Sequence, residues 1–372
     1  MKGVGLVTVP IGKASLIPVS HMVDIASVIS DKLYFITGGQ GPSIHNSGKV
    51  KKICVVDVLT RSGKKFRIIR GIISILKATA YVGYCSRKVN LWIYPMGANV
   101  LLPAIVVAKA FGTPIIINLP SSPQAIIEEE PRKLKKIFIA CAKINFFLAD
   151  RVVVYSPRLI SEWNLEPYRH KILIAHRHFL DFNTFTVTTP LPDRPPLIGY
   201  IGRLSGEKGV QNLTQALPAI LSNWQDLRVL IGGDGQLKET IEASLQEQGV
   251  SARVDLPGWI PHDNLPRYLN QLRLLILPSY TEGLPNIMLE AMACGTPVLA
   301  TPVGAIPDVI IDGKTGFIME NNSPECIAAN VVRALNSPDL EQIAENGRRF
   351  VEENFTFERV VERWKKVLEE IG

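Results

Sequence analysis

Short continuous apolar runs alternate with amphipathic stretches along the whole chain. In the first half the runs are GLVTV, KLYFIT, ICVVDV, LWIYP, PIIINL, RVVVY and KILIA. In the second they are LIGYI (197–201), LRVLIG (227–232), ARVDL (252–256), RLLILP (273–278), PVLAT (297–301) and GFIM (316–319). Between them lie helical patterns such as GVQNLTQALPAILSNW and QLKETIEASLQEQG, and the chain ends in RRFVEENFTFERVVERWKKVLEEIG, read as one or two helices. Apolar strands without polar alternation, separated by helices, predict parallel sheets covered on both faces. A length of 372 residues predicts two such domains rather than one core.

Charge divides the chain at the same place. Residues 1–189 carry a net +15 and residues 190–372 a net −8, within an overall +7. The seam, TVTTPLPDRPP (186–196), is rich in threonine and proline and reads as a linker. The basic half is expected to face something anionic: a membrane surface, a phosphorylated substrate or nucleic acid. No aromatic platform or nucleic-acid motif accompanies it, so nucleic acid is not the expected partner. Five scattered cysteines (Cys54, Cys85, Cys141, Cys294, Cys326) without a C-x-x-C pair point to a reducing compartment and away from zinc. The N-terminus reads as a first strand rather than a signal peptide, and no window offers 18 uncharged apolar residues. The expected location is cytoplasmic.

In parallel sheets, ligands collect beyond the carboxyl ends of the strands, and this chain concentrates its unusual residues there. Gly202-Arg203 follows the first strand of the second half, Gly232-Gly233-Asp234-Gly235 the second, Gly258-Trp259 the third, and Ser279 to Glu282 the fourth. The segment IGRLSGEKG (201–209), with its glycines, Arg203 and Lys208, suits an anionic ligand. It is not a P-loop, because Glu207 separates Gly206 from Lys208, and it has no G-x-G-x-x-G. The helix NIMLEAMAC is apolar except at Glu290, and a buried carboxylate must receive hydrogen bonds, from a structural partner or from ligand hydroxyls. Pro285 is placed at the first position of that helix.

The segments GRLSGEKG, GGDG, PGW and E-G-x-P-N-x-x-x-E followed by A-x-x-C-G-T-P-V resemble the C-terminal domain of glycosyltransferase family 4, over residues 197–372. The resemblance implies a GT-B fold, two Rossmann-like parallel-sheet domains facing a central cleft. They would be an acceptor domain (1–189), a nucleotide-sugar domain (190–355) and a final helix (356–372) crossing back to the first, with closure about the linker. It implies a retaining, metal-independent hexosyltransferase with no cofactor beyond a nucleotide-sugar donor, UDP-sugar favoured over GDP-sugar. By position, Arg203 and Lys208 pair with the donor diphosphate and Glu282 joins them as catalytic. Glu290 binds the ribose and the backbone at Trp259-Ile260 reads the base. Gly283, Leu284, Pro285 and Asn286 face the sugar and distal phosphate, while Gly202, Gly233 and Gly258 shape the donor pocket.

The acceptor side departs from the family. VPIGKAS offers only Gly12 where a double glycine is usual, Asn118 (near Ser121) stands where many members have histidine, and His178-Phe179 replaces asparagine-glycine. His178 reads as a hinge or core histidine. The stretches 64–88 and 131–151 combine apolar length with flanking cations, Lys133, Lys135, Lys136 and Lys143 beside Phe138, Phe146 and Phe147 in the second. They read as interfacial helices docking on an anionic membrane, so the expected acceptor is lipid-linked or a surface-glycan precursor at the inner face of the cell membrane. The alternatives are a soluble transferase acting on a small metabolite, or a nucleotide-sugar-binding protein without catalysis.

Overall fold

The computed structural model describes residues 3–12, 16–44, 50–54, 64–95, 100–122 and 132–371, with backbone alone at 42, 50–54, 64–70 and 132–134. The described residues divide into unit 1, Met1–Phe179 with Phe357–Gly372, and unit 2, Leu180–Thr356.

Unit 1 is built on seven parallel strands: β1 Val4–Ile11, β2 Leu33–Gly39, β3 Val50–Cys54, β4 Leu91–Tyr94, β5 Ile115–Asn118, β6 Arg151–Val154 and β7 Ile172–Ile174. Their order is β3-β2-β1-β4-β5-β6-β7. The connecting helices are α1 Leu16–Ile29, α2 Lys64–Cys85, α3 Leu102–Ala110, α4 Arg132–Leu148 and α5 Arg158–Glu162. Part of the ICVVDV run, residues 55–58, falls outside the described residues.

Unit 2 has six parallel strands: β8 Leu197–Ile201, β9 Arg228–Gly232, β10 Val254–Gly258, β11 Leu274–Leu277, β12 Val298–Ala300 and β13 Phe317–Ile318. Their order is β10-β9-β8-β11-β12-β13. Its helices are α6 Val210–Leu221, α7 Lys238–Glu247, α8 Leu265–Leu269, α9 Asn286–Ala293, α10 Pro324–Leu335 and α11 Leu340–Asn354. Both sheets reverse direction of growth once, between β1 and β4 and between β8 and β11, which is where a doubly wound sheet opens a crevice. The two Rossmann-like units are those of the expected GT-B class.

The last helix, α12 Phe357–Glu369, packs in unit 1. Its apolar stripe places Val360, Val361, Trp364 and Val367 in the same core as α1 and β1. Trp364 is fully buried, and its indole nitrogen donates to the His176 carbonyl at 3.1 Å. Arg151 donates to the Glu370 carbonyl at 2.6 Å.

The segment expected to be a linker, 186–196, is instead fastened into unit 2. Asn270 accepts from the Thr188 amide at 2.7 Å and donates to the Thr186 carbonyl at 3.0 Å. Buried Arg194 donates to the carbonyls of Thr189, Leu272 and Cys294 and to the Thr296 hydroxyl. Threonine and proline here accompany an irregular but bound segment, a distinction that composition does not carry.

Replacing Trp364 by alanine should destabilise unit 1 by about 3–5 kcal/mol through the cavity it leaves. Denaturant unfolding followed by hydrogen exchange should show the loss in the β1–α1–α12 core and not in unit 2.

Candidate functional site

The carboxyl ends of β8, β9 and β10 are stitched together by their own backbone. The Gly202 amide donates to the Gly232 carbonyl at 3.0 Å, the Gly233 amide to the Gly258 carbonyl at 2.8 Å, and the Leu204 amide to the Asp234 carbonyl at 2.9 Å. Glycine is required at 233, which has φ 139°, because a Cβ there would sit 1.8 Å from the Gly202 carbonyl oxygen. After β8 the chain makes a tight turn, Gly206–Lys208, ended by Gly209 at φ 65°. A Cβ on Gly209 would stand 2.0 Å from the carbonyl of Pro278, just beyond β11, so the loops after β8 and β11 approach closely only with glycine there.

That approach brings two predicted residues together. Lys208 Nζ lies 2.6 Å from Glu282 Oε1, and the Ser279 hydroxyl donates to the same oxygen at 2.7 Å. The Lys208 side chain keeps 26% of its exposure and the Glu282 side chain 9%. The pair therefore bridges the reversal point of the unit 2 sheet with the lysine on the more open side. Arg203 is more exposed and sits 3.5 Å from Glu207. Its loop is held by the buried Tyr200, whose hydroxyl donates to the Arg203 carbonyl at 2.6 Å.

The segment after Glu282 enters α9. Gly283, Leu284 and Pro285 are buried, and Asn286, the first residue of α9, is half-buried. Pro285 occupies the cap position, with φ −73° and ψ 122°, rather than the first helical turn. Its extended backbone turns the chain into a helix whose N-terminal amides favour an anion. One turn into α9, Glu290 is 4% exposed.

The structural partner that Glu290 requires is His262, whose Nε2 donates to Glu290 Oε1 at 2.9 Å. His262 begins the turn His262–Asn264 after β10 and lies tilted against the Phe185 ring, 5.3 Å between centroids. The hydrogen bond to Glu290 raises the His262 pKa above its usual value, against partial burial and with further help from the charges of Glu290 and Asp263. Sequence reading did not single out this histidine, which lies 28 residues from its partner in a segment with no helical or strand period. Next to it, Ile260 is buried and Trp259 is 58% exposed. Gly258 closes β10 at φ 73°.

The acceptor-side residues fall in unit 1. Gly12 follows β1, and a Cβ there would meet nothing within 4 Å, so the position does not need glycine for space. Asn118 is the last residue of β5 and is 1% exposed. It accepts from Arg177 at 3.3 Å and donates weakly to the Val153 carbonyl at 3.4 Å. Ser121 is half-buried in the bend that follows. His178 is buried, edge to face with the Tyr155 ring at 4.9 Å. Burial and the nearby His176, Arg177 and His21 push its pKa well down, which leaves it neutral.

The raised pKa of His262 ties stability to pH. Its contribution is fully present below the unfolded value of about 6.5 and is lost as pH rises through the higher folded value. Going from pH about 5.5 to about 8.5 should therefore cost unit 2 stability in wild type, and His262→Gln should flatten that slope in urea titrations at the two pH values.

Residues 181–350 match the family model of the glycosyl transferases group 1. The chain is 31% identical over 174 residues to an uncharacterized glycosyltransferase of Methanocaldococcus jannaschii, covering 46% of this chain and 48% of that protein. It is 32% identical over 155 residues, 40% of each chain, to the GDP-mannose-dependent alpha-(1-6)-phosphatidylinositol monomannoside mannosyltransferase of Mycolicibacterium smegmatis. The matched stretches thus span less than half the length of these relatives. In fold the chain is similar to the Anabaena protein HepE solved in complex with UDP, with TM-score 0.75 and 17% identity over 99% of this chain and 100% of that one. Residues 181–350, most of unit 2, are accordingly similar to the glycosyl transferases group 1.

Proposed function

We propose that the protein transfers a sugar from a nucleotide diphosphate donor to an acceptor, with Lys208 and Arg203 stabilising the departing diphosphate. The observation that carries this reading is the Lys208–Glu282 pair at the reversal point of the sheet, beside the N-terminus of α9. As the bond from the anomeric carbon to the diphosphate breaks, negative charge gathers on the leaving oxygens. In this reading two cations and a helix N-terminus stabilise that charge and favour the transition state over the ground state. Glu290 retains a second carboxylate oxygen besides the one bound to His262, able to accept from ribose hydroxyls. The chemistry proposed needs no metal and no other cofactor, and retains anomeric configuration. A uridine nucleotide is the proposed donor base; HepE was solved with UDP, whereas the Mycolicibacterium relative is GDP-mannose-dependent.

The acceptor proposed is lipid-linked or a precursor of a surface glycan, presented at the inner face of a membrane. On unit 1, α2 packs on α3, and α3 on α4. All three turn large apolar side chains outward: Leu76 and Tyr84 on α2, Val106 on α3 and Phe111 just after it, Ile137, Ile144 and Phe147 on α4. Phe147 is 77% exposed, whereas Phe146 is buried and Phe138 half-buried, so one of the three phenylalanines rather than all three faces out. Lys77, Arg87, Lys88, Lys136 and Lys143 are exposed among or beside them. An apolar surface studded with cations matches acyl chains beneath anionic headgroups. No described helix is long and apolar enough to cross a membrane.

Lys208→Ala should lower kcat/KM by about 10²–10³, equivalent to about 3–4 kcal/mol of transition-state stabilisation. Glu290→Ala should abolish the thermal shift given by UDP in a screen of UDP, GDP and ADP. Near-normal kinetics in both variants would overturn the assignment. For the membrane, sedimentation with anionic vesicles at low salt should capture wild type, and Phe147→Asp with Leu76→Asp should release it. Absence of wild-type binding would remove the membrane from the reading while leaving the donor site.

A further inference from the structure

Two arginines in unit 2, buried Arg194 and half-buried Arg253, show how this fold satisfies a guanidinium. Arg194 uses every nitrogen, on the carbonyls of Thr189, Leu272 and Cys294 and on Thr296. Arg253 does the same with the carbonyls of Leu221, Trp224 and Leu227. Arg177 in unit 1 does not. It is 2% exposed, yet among the described residues only Nη1 is bonded, at 3.3 Å to the Pro95 carbonyl and at 3.3 Å to Asn118. Its Nε is buried without a partner, and among the described residues no carboxylate pairs with it. A buried cation left in this state costs several kcal/mol.

The surroundings share the deficit. The Tyr94 and Tyr155 hydroxyls and the His178 Nδ1 are likewise buried without partners. Tyr94 ends β4, with Pro95 following; Asn118 ends β5; Tyr155 follows β6; and Arg177 and His178 lie just after β7. Four neighbouring parallel strands thus bring a guanidinium and unsatisfied polar groups to their carboxyl ends, next to the β1–β4 reversal point, where such sheets bind ligands. The neutral state of His178 leaves Arg177 as the cation of the cluster.

We propose that Arg177, with Tyr155 and Asn118, forms a binding site for a phosphate group, and that this phosphate belongs to the acceptor. The site itself stands on unit 1 alone; only the word acceptor rests on the transferase reading. The guanidinium fork pairs with phosphate oxygens, the hydroxyl supplies a further donor, and the bound dianion provides the missing counter-charge. A soluble phosphorylated acceptor and a lipid headgroup carry this same group.

The test uses the full chain carrying Lys208→Ala, so that the donor clamp does not itself take phosphate. Thermal unfolding is followed with inorganic phosphate, glycerol phosphate or short-chain phosphatidic acid, each against chloride at equal ionic strength. A rise in Tm of about 2 °C or more, lost in Arg177→Gln, is the expected result. A rise with inorganic and glycerol phosphate supports a soluble source, and one with phosphatidic acid alone a headgroup. The site is overturned if no probe stabilises the chain, or if Arg177→Gln keeps the shift. Should Arg177→Gln fail to fold, hydrogen exchange of the Lys208→Ala chain decides. Phosphate-dependent protection at Asn118, Tyr155 and Arg177–His178 supports the site, and its absence there overturns it. Absence of transferase activity in the wild-type chain, with this phosphate effect intact, would sink the functional reading and leave the site.

Discussion

Parallel strands must be joined by crossovers, and a sheet that grows first one way and then the other leaves one pair of neighbouring strands whose following loops part in opposite directions. Both units of this protein are organised by that constraint. In unit 2 the parting falls between β8 and β11, and the loops beyond those strands carry Lys208 and Glu282. The ion pair is thus a consequence of strand order as much as of residue type, since 74 residues separate its members. Glycine at 209 and 233 serves the same geometry by letting backbone meet backbone where a side chain would not fit.

The charged groups of the candidate donor site are each held in place by a neighbour. Glu282 is fixed by Lys208 and Ser279, Glu290 by His262, and the backbone of Arg203 by Tyr200. Such arrangement in advance of ligand reduces the reorganisation demanded when charge develops on a leaving group. Unit 1 presents the opposite condition. Its strand ends gather Arg177, Tyr155 and His178 with hydrogen-bonding capacity left unused, a condition native interiors rarely tolerate without a ligand or a compensating charge.

Much of the architecture was legible in the sequence because parallel strands buried on both faces read as unbroken apolar runs. Twelve of the thirteen runs correspond to strands, with ends moved by a few residues, and the thirteenth, ICVVDV, lies mostly outside the described residues. Among the site residues, Lys208, Glu282 and Glu290 were visible because charge beside glycine, or inside an otherwise apolar helix, contradicts its local pattern. His262 was not visible: a lone histidine in a turn breaks no period, and its meaning comes from a carboxylate distant in sequence. The 186–196 segment was misread for a related reason, since proline and threonine signal irregular backbone and say nothing of whether Arg194 and Asn270 tie it down.

By itself the sequence determined the class of fold, the charge contrast between its halves and the placing of unusual residues at strand ends, because these depend on periodicity and composition along the chain. Tertiary structure decided which of those residues meet. It put Lys208 against Glu282 and His262 against Glu290, turned Phe147 outward and Phe146 inward, and left Arg177 buried with most of its donors unused. Each of these outcomes depends on distances between segments far apart in the chain, which no local pattern encodes.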